Sequence, residues 1–119
     1  MKIAISTQGN DLNGPLDPRF GRAAGFVLVD LATQGHAFVP NDQNLDLAQG
    51  AGIQAAMCVA NAGAKAVITG HVGPKAFMAL DKGGIAVYLR DGGTVGEALE
   101  AYKAGLLERA AGPDKQGHW

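Results

Sequence analysis

The chain has 119 residues, 47% hydrophobic and 18% charged, with a net charge of -1 at neutral pH. That length fits one domain with one core, and the near-zero charge removes any overall basic field, so neither nucleic acid nor a membrane is expected as a partner. The longest apolar runs, such as Phe26 to Val29, are too short to cross a bilayer, and "MKIAIST" runs into a strand pattern rather than a signal peptide, which makes the cytoplasm the expected compartment.

"KIAIS" (Lys2 to Ser6) alternates with Ile3 and Ile5 on one face and reads as a first strand. The segment from Thr7 to Gly25 holds Gly9, Gly14, Pro15, Pro18 and Gly21 with little apolar periodicity; it is expected to dock weakly without a ligand. "GFVLVDL" (Gly25 to Leu31) is a stronger strand, and the turn residues "TQG" return the chain as "HAFVP" (His36 to Pro40) in a hairpin. From Gly50 to Ala62 the period becomes helical, and Ile53, Ala56, Met57 and Ala60 are expected on the buried face. "KAVIT" (Lys65 to Thr69) is the next strand. The helix after it starts with Pro74 at its first position and stops at Gly83-Gly84. "IAVYL" (Ile85 to Leu89) follows, and then a helix opened by Thr94 and Glu97 in capping-box spacing, with Val95, Ala98, Leu99 and Tyr102 inward. The tail from Gly112 reads as frayed. Two successive strand–helix units require parallel strands with right-handed crossovers, while the hairpin adds antiparallel pairs. The expected result is an α/β fold: a single domain with a mixed sheet of about five strands flanked by helices.

A single cysteine, Cys58, rules out an internal disulfide, and no Cys/His array has zinc or iron–sulfur spacing, so a cluster held by several thiolates of one chain is excluded. Cys58 itself is expected to be a small buried hydrophobe. Glycine, in contrast, is in excess: 18 residues, which is roughly twice the usual share of about 7%. Ligands of open α/β sheets settle beyond the carboxyl ends of strands, near helix N-termini whose free N–H groups favour anions. Three loops could meet there: 16–24, 44–53 and 70–75. They supply the candidate binding residues Arg19, Phe20, Gly21 and Arg22, then Asn44, Gly50, Ala51 and Gly52, then Gly70, His71, Gly73 and Pro74. His71 is also the one candidate metal ligand, whereas His36 and His118 read as incidental and Lys75 as a solvated charge.

"MKIAIST", "RFGRA.GFVLVD", "GAGIQAA", "VITGHVGPKA" and "TVGEALEAYKAG" stand in an order and spacing that resemble the dinitrogenase iron-molybdenum cofactor biosynthesis family, over residues 1–106, with 107–119 left as a tail. The resemblance implies a ribonuclease H-like fold and a small carrier of a metal–sulfur cofactor precursor. The family includes proteins that hold a mixed molybdenum-copper sulfide cluster without covalent attachment. Many members carry a histidine, a suspected cofactor ligand, before the FG pair, where this chain has Arg19. A guanidinium stays protonated and serves poorly as a metal ligand, but it pairs well with a polyanion. The expectation is therefore a non-enzymatic binding, storage or carrier protein for an anionic metal–sulfur cluster, either molybdenum-copper sulfide or an iron-molybdenum-sulfur precursor. A protein donor or acceptor of the cluster would be its partner. The alternative is a phosphate, nucleotide or protein-interaction module using the same helix N-termini. A nuclease is disfavoured, because such sites need converging carboxylates and "KIAIS" has none.

Overall fold

In the computed structural model, which describes residues 1–41 and 50–113, the two apolar runs at the start of the chain pair with each other. β1 (Lys2–Thr7) lies antiparallel to β2 (Gly25–Asp30), with Ile3 opposite Val29 and Ile5 opposite Val27. β3 (His36–Pro40) closes the hairpin on the outer side of β2. The chain then crosses through α1 (Ala51–Asn61) to β4 (Ala64–Thr69), parallel to β1, and through α2 (Pro74–Lys82) to β5 (Ala86–Leu89), parallel to β4. α3 (Val95–Lys103) follows, and the sheet order is β3-β2-β1-β4-β5. The described residues thus form a small α/β domain with a mixed five-stranded sheet and three α-helices.

Strand alternation divides the core in two. Ala4, Phe26, Val67 and Val87 face α1 and α2, whereas Ile3, Ile5, Val27 and Ile68 face α3. β1 is covered on both faces, and all of its residues after Lys2 are buried. The helix ends follow the sequence signals. Pro74 opens α2, Gly83 and Gly84 (φ +71°) close it, and α3 carries a reciprocal cap. In that cap the Glu97 N–H donates to Thr94 Oγ1 at 3.1 Å and the Thr94 N–H donates to Glu97 Oε1 at 2.9 Å. The Thr94 N–H, donating to the carboxylate, holds the Glu97 carboxyl below the usual carboxylate range, with the Thr94 side chain adding to the effect.

α1 turns a different face inward from the expected one. Ala51, Ala55, Ala56 and Val59 are buried, while Ile53 and Met57 are 38% and 58% exposed and Ala60 is exposed as well. The cause is the helix pair. A Cβ on Gly52 would stand 2.9 Å from Ala76 Cβ, so α1 and α2 approach at a distance only small residues allow. The small-residue face of α1 therefore wins the interior and the bulkier Ile53 and Met57 are left outside.

Packing also continues past residue 106. The Ala110 N–H donates to Val87 O at 2.8 Å, and Arg109 bridges antiparallel to Tyr88, so residues 109–110 run back along β5. Within the stretch 107–119 left as a tail, residues 109–110 are therefore held by backbone pairing with the β5 edge; residues 114–119 lie outside the described residues.

Candidate functional site

The carboxyl ends of β1 and β4 lie side by side, and the loop after β1 is fastened across both. The Asp17 N–H donates to Ser6 O at 2.9 Å, and the Ser6 hydroxyl donates back to Asp17 O at 2.7 Å while lying 2.8 Å from Thr69 Oγ1. Further out, Thr7 Oγ1 donates to Pro15 O at 2.7 Å and accepts the Gly9 N–H at 2.9 Å. The free N–H groups at the start of α3 are used here too: Val95 donates to Gly14 O and Gly96 to Leu12 O, at 2.9 and 2.8 Å. The segment expected to dock weakly is therefore docked firmly. Its anchors are backbone hydrogen bonds and single buried side chains, Leu16 and Phe20, which carry no periodic signature.

The loop after β4 meets this segment along a seam. The His71 N–H donates to Pro18 O at 2.7 Å, the Phe20 N–H donates to His71 O at 3.3 Å, and Arg19 runs parallel beside His71. Gly70 makes the seam possible. A Cβ there would stand 2.6 Å from Pro18 Cα and 2.8 Å from Pro18 O, closer than real Cβ contacts come. A short 3-10 helix, Phe20–Arg22, then packs against α1, whose Gly52 touches α2. Loops 16–24 and 70–75 and the start of α1 are thereby brought into one neighbourhood, while Asn44 lies outside the described residues.

Within that neighbourhood the candidates divide into surface and scaffold. Arg19 and Lys75 are exposed, and Arg22, His71, Pro74, Gly50 and Gly52 are partly exposed. Gly21, Ala51, Gly70 and Gly73 are buried and shape the backbone. Phe20 has 0% exposure and packs tilted against Phe26 with ring centroids 5.5 Å apart, so its side chain belongs to the core and offers a ligand no surface. The exposed and partly exposed candidates include two arginines, a histidine and a lysine: Arg19, Arg22, His71 and Lys75.

Sequence reasoning missed Asp17, which is 1% exposed directly beneath the first arginine. Its Oδ1 accepts the Arg19 N–H at 2.8 Å and stands 3.7 Å from Arg19 Nε, and its Oδ2 accepts from Gln8 Nε2. The available signal was Asp two positions before Arg, the spacing at which an aspartate side chain caps its own turn.

The donor set suits a ready-made anion better than a bare metal ion. Among the described residues no group of three or more His, Cys, Asp or Glu side chains could hold a metal. Cys58 lies about two turns along α1 from Ala51, roughly 10 Å by helical rise. It is half-buried rather than buried, because it sits where α1 passes the β3 edge; its thiol donates to Pro40 O at 3.4 Å and borders a groove of about 730 Å³ with Leu28, Val39 and Met57.

The chain is similar to known proteins over nearly its whole length. The sequence profile of the family described as dinitrogenase iron-molybdenum cofactor matches residues 1–105. The chain is 48% identical to the orange protein of Desulfovibrio gigas, solved in its apo form, with 96% of each chain covered and a TM-score of 0.91. A NifB-type protein from Thermotoga, assigned to the DUF35 family, is 31% identical over 91% of each chain with a TM-score of 0.77. An uncharacterised protein of Methanocaldococcus jannaschii is 30% identical over 112 residues, which is 92% of this chain and 91% of that one.

Proposed function

The chain belongs to the dinitrogenase iron-molybdenum cofactor family, and from that premise we propose that it carries or stores a preformed anionic metal–sulfur cluster and catalyses no reaction on it. The observation that carries this reading is the seam. Backbone hydrogen bonds between Pro18, Phe20 and His71 join the segment that carries Arg19 and Arg22 to the one that carries His71 and Lys75, beyond the carboxyl ends of β1 and β4. The similarity to a protein solved in an apo form adds support, since that description implies a bound form of it. The strand order β3-β2-β1-β4-β5 supports the ribonuclease H-like assignment.

The chemistry follows from the donors. A molybdenum-copper sulfide cluster or an iron-molybdenum-sulfur precursor presents polarizable sulfur atoms with negative charge. Guanidinium groups meet such a surface through several N–H donors at once, each charge-assisted bond contributing about 1.5–3 kcal/mol when shielded and less on an open rim. Arg19 is 51% exposed, so the lower end applies to it. The first turn of α2 adds N–H groups from Lys75 and Ala76, Pro74 having none. A carrier built this way binds by charge and shape, and the single thiol is not required.

The test is reconstitution of the apo protein with tetrathiomolybdate and cuprous ion, followed by desalting. A visible charge-transfer band that co-elutes with the protein and is lost in Arg19→Glu supports the reading. A protein that stays colourless and metal-free, yet whose backbone resonances at 70–75 shift with inorganic phosphate, overturns it in favour of a phosphate-binding module.

A further inference from the structure

We infer that Asp17 tempers the anion site: it competes with the cargo for Arg19 and so keeps a tightly charged site able to release what it holds. The inference rests on the carrier reading above and concerns how that same site is regulated.

Asp17 is a buried carboxylate under a basic patch, which is an unfavourable place for a negative charge if anion affinity were the only demand. Its backbone already fixes the loop through Ser6, with both the N–H and the carbonyl engaged at 2.9 and 2.7 Å. One carboxylate oxygen is aimed at the Arg19 N–H and at Gln8 Nε2 the other. These bonds need two acceptor oxygens; in asparagine the oxygen keeps the Arg19 N–H bond, and the Gln8 amide, turned over, presents its own oxygen to the asparagine NH2. What only the charge supplies is the attraction on the Arg19 side chain. That attraction is loose. At 3.7 Å the Nε···Oδ1 distance exceeds a hydrogen bond, and the Arg19 side chain is half exposed. The guanidinium is parked against Asp17 without being locked there.

An arriving polyanion meets two opposed effects. It must draw Arg19 away from Asp17, and it feels the repulsion of a carboxylate shielded from water by its 1% exposure. Both effects weaken binding. A site without them would release a multiply charged cluster more slowly, because charge-assisted contacts from several donors accumulate. Asp17 is therefore a positioning residue acting through Arg19, and it sets the release rate more than the arrival rate.

Tetrathiomolybdate alone serves as the probe, with two readouts. The Arg19 side-chain Nε–H resonance is followed by NMR through a titration of the wild-type protein. It is expected to shift as the guanidinium leaves Asp17. A resonance that stays put while the ligand binds overturns the competition. The second readout is affinity and release rate for Asp17→Asn, whose fold is checked by the dispersion of its amide spectrum. Removing one negative charge beside the anion should tighten binding roughly three- to tenfold at low salt, mainly through slower release, and the gain should shrink near about 0.5 M salt. A purely structural Asp17 gives the opposite sign, weaker binding from a loosened loop, and that result or unchanged affinity overturns the inference while leaving the carrier reading intact. If the wild-type protein binds no thiomolybdate at all, the carrier reading fails and takes the inference with it. Should Asp17→Asn not fold, the wild-type titration decides alone.

Discussion

Gly70→Ala tests the seam on which the site depends. The new Cβ would stand 2.6 Å from Pro18 Cα, 2.7 Å from Pro18 Cβ and 2.8 Å from Pro18 O. None of these is the end of a flexible side chain, so the two loops must move apart. Overpacking of this kind costs about 1–3 kcal/mol. The separation also strains the hydrogen bonds from His71 N–H to Pro18 O (2.7 Å) and from Phe20 N–H to His71 O (3.3 Å). Each contributes about 0.5–1.5 kcal/mol, so weakening both brings the expected loss to roughly 2–4 kcal/mol. Urea unfolding should show a lower midpoint with an unchanged slope, since the surface exposed on unfolding stays the same. Thiomolybdate affinity should fall roughly tenfold or more, because Arg19 and His71 lose their common frame. Gly112→Ala is the control: nothing lies within 4 Å of its Cβ position, and its stability should stay within about 0.5 kcal/mol of wild type. A Gly70→Ala protein with the wild-type midpoint and affinity would refute the reasoning, since the loops would then be free to separate at no cost.

Replacing Arg19 tests the charge directly. Lysine keeps the charge but loses the planar fork, so partial loss of binding is expected, whereas glutamate should nearly abolish it, and both effects should shrink at high salt. Arg19→His restores the residue type found in the resembling family and is expected to shift preference from molybdenum-copper toward iron-containing clusters, as metal analysis after competitive loading would show. Cys58→Ser should keep most of the visible absorption after reconstitution, because the thiol faces the β3 side; complete loss would make the thiolate a ligand and contradict the pairing account. Thr94→Ala removes the α3 cap and should cost about 1 kcal/mol in a denaturation series. The Glu97 carboxyl titrates below its ordinary range when folded, so its contribution is fully present above the unfolded value and fades as pH falls through the lower folded one. Glu97→Gln should therefore flatten that part of the acid limb, and an unchanged acid limb would show that the carboxylate charge contributes nothing there.

The elements were legible where one local signal decided them. The hairpin strand His36–Pro40, the proline start of α2, its glycine stop and the capping box of α3 all depend on residues adjacent in sequence, and they appear where the sequence puts them. The buried face of α1 was not legible in this way. Size pointed to Ile53 and Met57, but the distance between two helices, set by Gly52 against Ala76, decided for alanine. The same limit applied to the loop from Thr7 to Gly25. Its low periodicity correctly marked it as irregular but said nothing of the backbone bonds to Ser6, Gly93 and the start of α3 that fasten it.

For the site, the sequence identified the outward charges and could not see what lies beneath them. Arg19, Arg22 and His71 are basic residues beside glycines, a pattern that suggests an anion. Asp17, two positions away, reads as an ordinary turn residue until its burial is known. That difference changes the account of binding. Two unopposed arginines would describe a trap, whereas an arginine shared with a buried carboxylate describes a site with a counterweight. On the carrier reading, repulsion from one buried carboxylate weakens the hold on a polyanionic cargo, and release returns the Arg19 side chain to Asp17.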